Sequence, residues 1–256
     1  MFAPGHNEKL LMKVFDAGAD VLLLDLEDAV PSEFKSRARS LVVEVAATRP
    51  CWVRVNKAMT DECARDLEAL AELVGGLRLP KVESASEVMW AAERAPHVPL
   101  DCTIESARGV AAIHEIVRSD ACSSISYGGL DLAADLGIAG GDLETLYARS
   151  SLVVAARAAD KPPPSDGVHA LIDDDAGLRS EAEAARRLGF FGKSAIHPRQ
   201  VAIINDVFKP TAEELAWANR VLAAFVASGG AATRLAGGEF VDLPVAERAR
   251  RLLRTN

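Results

Sequence analysis

Eight short apolar runs alternate with longer amphipathic stretches along almost the whole chain, and this rhythm constrains the fold more than any other feature. The runs fall at residues 1–4, 21–26, 51–56, 77–82, 100–105, 123–127, 164–169 and 190–196. Between them, residues 7–17, 33–48, 61–74, 85–94, 109–118, 143–159 and 176–188 carry apolar side chains at helical spacing. Strand and helix in strict alternation predict a parallel sheet covered by helices. Eight repeats in 256 residues match a closed (β/α)8 TIM barrel, a fold of about 250 residues. An open doubly wound sheet is the competing arrangement, but no GxGxxG follows the first run. Hydrophobic content is 49% with only 5% aromatic residues, so the core is expected to be aliphatic.

In a barrel of this kind the chemistry sits where strands end. The polar residues at those ends are Asp25, Glu27 and Asp28, then Arg54, Asn56, Lys81, Glu105, Asp131 and His197. Glu105 and Asp131 each follow an apolar run, at residues 100–104 and 125–130, so two carboxylates from consecutive strands can face one ion. Hard oxygen ligands with open positions suit Mg2+; two ordinary strand-end acids, one capping the next helix, fit the same pattern. Arg54 alternates with Val53 and Val55 and must face away from them, which calls for a charged partner or an anionic ligand. Glu27 and Asp28 can order metal-bound water or pair with Lys35 or Arg39. Lys81 and His197 take no assigned role, and His6, His97 and His114 have no companions at metal-ligand spacing.

A net charge of −8 lacks the basic balance of a nucleic-acid binder. No apolar run approaches the length of a bilayer span, and the start lacks a signal-peptide pattern. Cys51, Cys63, Cys102 and Cys122 show no CxxC spacing, which points to a reduced, cytoplasmic protein. After residue 196 come a helical stretch at 212–228, a glycine-rich link at 229–238, a polar segment at 239–242 and a last helix at 245–253. The expected division is a barrel domain over 1–228 and a C-terminal helical extension over 229–256.

The order of short motifs resembles the citrate lyase beta-subunit-like family of acyl-CoA lyases, which includes malyl-CoA and citramalyl-CoA lyases. The matching residues are Phe2-Ala3-Pro4-Gly5, Asp25-Leu26-Glu27-Asp28-Ala29-Val30, Lys35 with Ala38-Arg39, and Val53-Arg54-Val55-Asn56. They continue with Leu79-Pro80-Lys81-Val82-Glu83, Ile104-Glu105-Ser106-Ala107-Arg108-Gly109 and Gly129-Leu130-Asp131-Leu132. Gly189-Phe190-Phe191-Gly192-Lys193, Ile196-His197-Pro198 and Val241-Asp242-Leu243-Pro244 complete the set.

The resemblance implies a homotrimeric TIM-barrel enzyme that uses Mg2+ to cleave or form a C–C bond in a 3-hydroxyacyl-CoA, giving an acyl-CoA and a 2-oxo acid. It maps the metal pair onto Glu105 and Asp131 and the arginine for the 2-oxo acid onto Arg54. Substrate contacts are expected from Glu27, Asp28 and Gly129. The catalytic carboxylate, contributed across a subunit interface by the C-terminal extension, maps onto Asp242. On the residues alone, Asp242 reads equally as a loop acid or as the N-cap of the last helix, ahead of Pro244. The family's first strand carries an Arg-Ser pair that helps hold CoA phosphates, and this sequence begins at Met1 inside that strand, so CoA rests on less than the metal pair does. Two other readings stay open: a citrate lyase beta subunit acting on a citryl thioester of an acyl carrier protein, and a non-catalytic relative that binds a CoA ester.

Overall fold

A computed structural model describes residues 1–254 and divides the chain into two compact units, the second beginning at Asp206. In the first unit, eight strands form one parallel sheet in sequential order: β1 (Phe2–Pro4), β2 (Leu23–Asp25), β3 (Trp52–Arg54), β4 (Gly76–Leu79), β5 (Leu100–Ile104), β6 (Cys122–Tyr127), β7 (Ser165–Asp166) and β8 (Gly192–Lys193). The Phe2 N–H donates to the Ala195 carbonyl at 2.8 Å, which joins the end of the eighth strand to the first and closes the barrel.

The helices are α1 (Glu8–Lys13), α2 (Lys35–Ala46), α3 (Asp61–Leu70), α4 (Ala85–Arg94), α5 (Ala107–Arg118), α6 (Gly129–Leu136), α7 (Leu146–Ala158), α8 (Asp175–Leu188) and α9 (Pro198–Phe208). The starts of α1, α3, α4, α5 and α8 are set by short polar side chains that satisfy otherwise unpaired N–H groups. Thr60 caps α3 through the Cys63 N–H, Ser106 caps α5 through the Gly109 N–H, and Ser84 with Glu87 forms a reciprocal capping box on α4. The aliphatic core lies between sheet and helices. Leu24, Val53, Leu77 and Cys102 in the strands are fully buried, as are Leu67, Ile113 and Ile116 on the facing helices.

The barrel interior is polar instead. Cα pairing puts Asp25, Arg54, Arg78, Asp101 and Ser124 on one row across five strands, so their side chains share a face. Arg78 Nε donates to Asp101 Oδ2 at 2.7 Å, and Ser124 Oγ donates to Asp101 Oδ1 at 2.7 Å. Arg78 Nη2 also donates to Ser165 Oγ across the barrel at 3.2 Å. At the far end Gly76 leaves room for Trp52: a Cβ there would lie 2.5 Å from the indole ring.

Two helices lie outside the sequence expectation. α6 begins directly after Gly128, so β6 stops at Tyr127 and Leu130 is exposed on a helix; Asp131 sits in a first helical turn and not at a strand end. α9 starts at Pro198, a residue suited to the first turn of a helix.

The second unit holds α10 (Ala212–Ala227), the strands β9 (Thr233–Arg234) and β10 (Phe240–Val241) paired antiparallel, and α11 (Leu243–Arg254). Ala218, Val221, Phe225, Val241, Ala246 and Ala249 form its core. The glycine-rich stretch is therefore the turn region of a hairpin packed in that unit. The compact units part at Asn205 and Asp206, upstream of the residue 228/229 division expected from composition, because α10 shares its core with α11. Among the described residues no helix is long and apolar enough to cross a membrane.

Candidate active site

A cavity of about 380 Å³ opens at the C-terminal end of the barrel, lined by Phe2, Asp25, Arg54, Arg78, Glu105, Tyr127, Gly129 and Asp131 among others. Five of the site residues expected from sequence line it: Arg54, Glu105, Asp131, Asp28 and Gly129. Glu27 joins them through its ion pairs with Arg54 and Lys81.

Asp25 and Arg54 form the base. Arg54 Nε donates to Asp25 Oδ1 at 2.8 Å and Nη2 to Asp25 Oδ2 at 2.7 Å, the parallel fork that guanidinium and carboxylate favour. Arg54 Nη1 lies 2.9 Å from Glu27 Oε2. These anions raise the Arg54 pKa further although burial works against its charge. Asp25 also receives the N–H groups of Glu27 and Ala29, which folds the loop after β2 back over the cavity. Lys35 closes the same loop by donating to the carbonyls of Leu26 and Glu27, both at 2.6 Å. Glu27 and Asp28 do not take the expected Lys35 ammonium or Arg39 guanidinium as partner; both accept from Lys81 Nζ, at 2.5 and 2.7 Å. Arg39 turns instead to Glu62 and the fully buried Asp66, which also ties down Asn56.

Glu105 ends β5 and is buried, and its Oε1 accepts the Lys81 N–H at 2.6 Å. Burial first, and the nearby Asp131 carboxylate second, push its pKa up to about 7. Gly128 packs directly on it: a Cβ at that position would lie 2.2 Å from Glu105 Oε2. Asp131 remains 42% exposed in its side chain and faces the cavity from the first turn of α6.

The donor set fits a hard divalent cation. Asp25, Asp28, Glu105 and Asp131 line the cavity and Glu27 lies beside it, with Arg54, Arg78, Lys81 and Lys35 as the nearby cations. Glu105 and Asp131 repel one another, while Arg54 attracts Glu105 and the Lys81 ammonium lies 4.0 Å from Asp131 Oδ1; a cation placed between the two carboxylates would relieve the repulsion that is left. Among the described residues no group of three or more His, Cys, Asp or Glu is arranged to hold a metal. The candidate donors are a pair, which leaves coordination positions for small-molecule oxygens.

Asp242 belongs to the second unit, where its Oδ1 accepts the Val245 N–H at 3.2 Å at the start of α11. It is therefore an N-cap in this chain. His197 Nδ1 accepts the Arg199 N–H at 3.2 Å, a local turn contact. Sequence reasoning missed Arg78, Gly128 and the importance of Lys81. Arg78 was detectable, since it alternates with Leu77 and Leu79 as Arg54 does with its neighbours. Lys81 was not, because its place depends on a left-handed backbone, φ 53°, that no local signal announced.

Fold and site together define an acidic, arginine-backed (β/α)8 barrel with a paired-carboxylate cavity. The chain belongs to the HpcH/HpaI aldolase/citrate lyase family, whose description matches residues 1–198. A (3S)-malyl-CoA thioesterase of Cereibacter sphaeroides is 37% identical over 232 residues, covering 88% of this chain and 81% of that one. The human mitochondrial citramalyl-CoA lyase is 30% identical over 281 residues, covering 97% and 82%. The crystal structure of Mycobacterium tuberculosis CitE in complex with magnesium, acetoacetate and coenzyme A superposes with a TM-score of 0.85 at 36% identity, covering 99% of this chain and 96% of that one. A citrate lyase beta subunit of the same organism, complexed with oxaloacetate and magnesium, gives 0.73 at 34% identity over 82% and 96%.

Proposed function

We propose that this protein is a Mg2+-dependent carbon–carbon lyase that splits a 3-hydroxyacyl-CoA, such as malyl-CoA or citramalyl-CoA, into an acyl-CoA and a 2-oxo acid, or runs the reverse. The observation that carries the reading is the buried Glu105 beside Asp131, at the same barrel end as the arginine Arg54. Magnesium on that pair would supply a Lewis acid and a template for substrate oxygens. The complexes of the M. tuberculosis relatives with magnesium and 2-oxo or 3-oxo acids support that assignment.

In the cleavage direction the substrate alcohol loses its proton and becomes the carbonyl of the 2-oxo acid. The adjacent C–C bond breaks, and its electron pair passes to the thioester as an enolate, which is then protonated at carbon. Arg54 carries five N–H donors; two bond Asp25 and one faces Glu27, so two are left for an oxo-acid carboxylate. Such preorganised donors are worth about 10²–10³ in rate each. Glu27 and Asp28 act indirectly, through Arg54 and Lys81. Gly129 keeps the wall open, since a Cβ there would lie 2.8 Å from the Tyr127 ring.

Asp242 is assigned as the acid/base at the enolate carbon, delivered by a neighbouring copy in a homotrimer. The family resemblance supports this assignment. The four cysteines are free and buried, in keeping with a cytoplasmic setting.

The thioesterase relatives favour a second reading, in which thioester hydrolysis follows or replaces C–C cleavage. Product analysis separates the two. The purified chain is incubated with malyl-CoA and citramalyl-CoA, and the 2-oxo acid and the free thiol are followed independently. Oxo acid with intact acyl-CoA supports the lyase; free CoA without oxo acid refutes it in favour of the hydrolase.

A further inference from the structure

Lys81 is held in a way its neighbours do not require. Its backbone is left-handed at φ 53°, a conformation costly for a side chain with a Cβ, which persists because the surrounding contacts hold it. From that conformation its two ends do different things. The backbone N–H donates to Glu105 Oε1 at 2.6 Å. The ammonium reaches the opposite wall, at 2.5 Å from Glu27 Oε1, 2.7 Å from Asp28 Oδ2 and 4.0 Å from Asp131 Oδ1. Its side chain is 31% exposed, so the charge is partly solvated and not in the core.

We propose that Lys81 is a positioning residue that sets how tightly the carboxylate pair takes a divalent cation: its N–H aims Glu105, while its ammonium acts as a competing fixed charge beside Asp131. This rests on the reading of Glu105 and Asp131 as the cation site. An ammonium 4.0 Å from one donor repels an arriving cation, and in this partly solvated setting the repulsion lowers affinity by about tenfold. The same ammonium keeps Glu27 and Asp28 from turning to the cation as extra ligands, because both are engaged by it. The arrangement favours a cation that enters and leaves with substrate over one held permanently.

The test is a calorimetric titration of MgCl₂ alone into the purified wild type, Glu105→Gln, Lys81→Met and Lys81→Gly, with no substrate present. Lys81→Met keeps the backbone donor and removes the charge. Lys81→Gly also removes the charge and relieves the left-handed strain, so it folds even where the methionine variant does not. The expected result is Mg2+ binding by the wild type, its loss in Glu105→Gln, and a dissociation constant about tenfold lower in the folded Lys81 variants. That gain should shrink as ionic strength rises. Equal or weaker binding by Lys81→Gly, with Glu105→Gln still abolishing it, overturns the role of Lys81 and leaves the site intact. Absence of binding by the wild type and the folded Lys81 variants alike, or binding unchanged in Glu105→Gln, overturns both.

Discussion

Asp25 grips Arg54 through two parallel hydrogen bonds of 2.7 and 2.8 Å, and the pair sits in one cross-strand register between β2 and β3. The arginine that meets the cavity is thus fixed by the strand next to it, with Asp25 only 2% exposed. Replacing Asp25 with Asn should leave Arg54 buried and half-paired. Removing one partner of a buried pair typically costs 3–5 kcal/mol; with Glu27 still in contact, roughly 3 kcal/mol is expected from denaturant unfolding. The kcat/KM should fall by about 10²–10³ as the oxo-acid contact loses its aim. Unchanged kcat/KM in a stable Asp25→Asn protein would remove Arg54 from substrate binding.

Gly128→Ala should disturb the carboxylate pair directly. Its Cβ would lie 2.2 Å from Glu105 Oε2 and 2.4 Å from Glu105 Cβ, so the carboxylate must move. Overpacking of this kind costs roughly 1–3 kcal/mol, and displacing a donor typically weakens metal binding about 10- to 100-fold. Magnesium titration beside a thermal melt measures both, and wild-type affinity in the variant would show that Glu105 is not a donor.

Glu105 should make the metal-free protein pH-sensitive. Its folded pKa of about 7 exceeds the ordinary 4.5, so between those values the folded chain binds a proton the unfolded chain does not. Stability from this group is therefore fully present below 4.5 and lost as pH rises through 7. At 1.36 kcal/mol per pKa unit the loss is on the order of 3 kcal/mol. Unfolding free energies from pH 4.5 to 8 should fall more steeply for the wild type than for Glu105→Gln. A cation must displace that proton, so magnesium binding should weaken below pH 7 and release a proton as it occurs. Identical slopes in the two proteins would count against the raised pKa.

Asp242 offers a test that separates capping from catalysis. Asn caps a helix about as well as Asp, whereas Ala loses about 1 kcal/mol. Asp242→Asn should keep the melting temperature and Asp242→Ala should lower it. If the carboxylate is also the acid/base, both should lose about 10²–10⁴ in kcat. A fully active Asp242→Asn protein would confine the residue to the start of α11.

The barrel was legible in the sequence because short apolar runs such as residues 21–26, 51–56 and 100–105 alternate with amphipathic helical patterns along the chain. The acids were legible because Glu105 ends a run of buried residues. What the sequence concealed came from tertiary geometry. The sixth strand ends at Tyr127, as the run 123–127 indicated, but Asp131 lies in the first turn of α6, a short helix that the Gly128-Gly129 turn did not announce. The pairing of Glu27 and Asp28 with Lys81 spans more than 50 residues and has no local sign. The polar barrel interior, with Arg78 held by Asp101 and Ser165, was hidden by reading the strands as aliphatic.

One measurement bears most directly on the account: the rate of 2-oxo acid release from malyl-CoA and citramalyl-CoA by the wild type in Mg2+, the wild type in EDTA, and Glu105→Gln in Mg2+. The account predicts turnover of at least one thioester in the first case, abolished by the chelator and restored by added magnesium, with none from a folded Glu105→Gln protein. Oxo-acid release that persists in EDTA or in Glu105→Gln would contradict it.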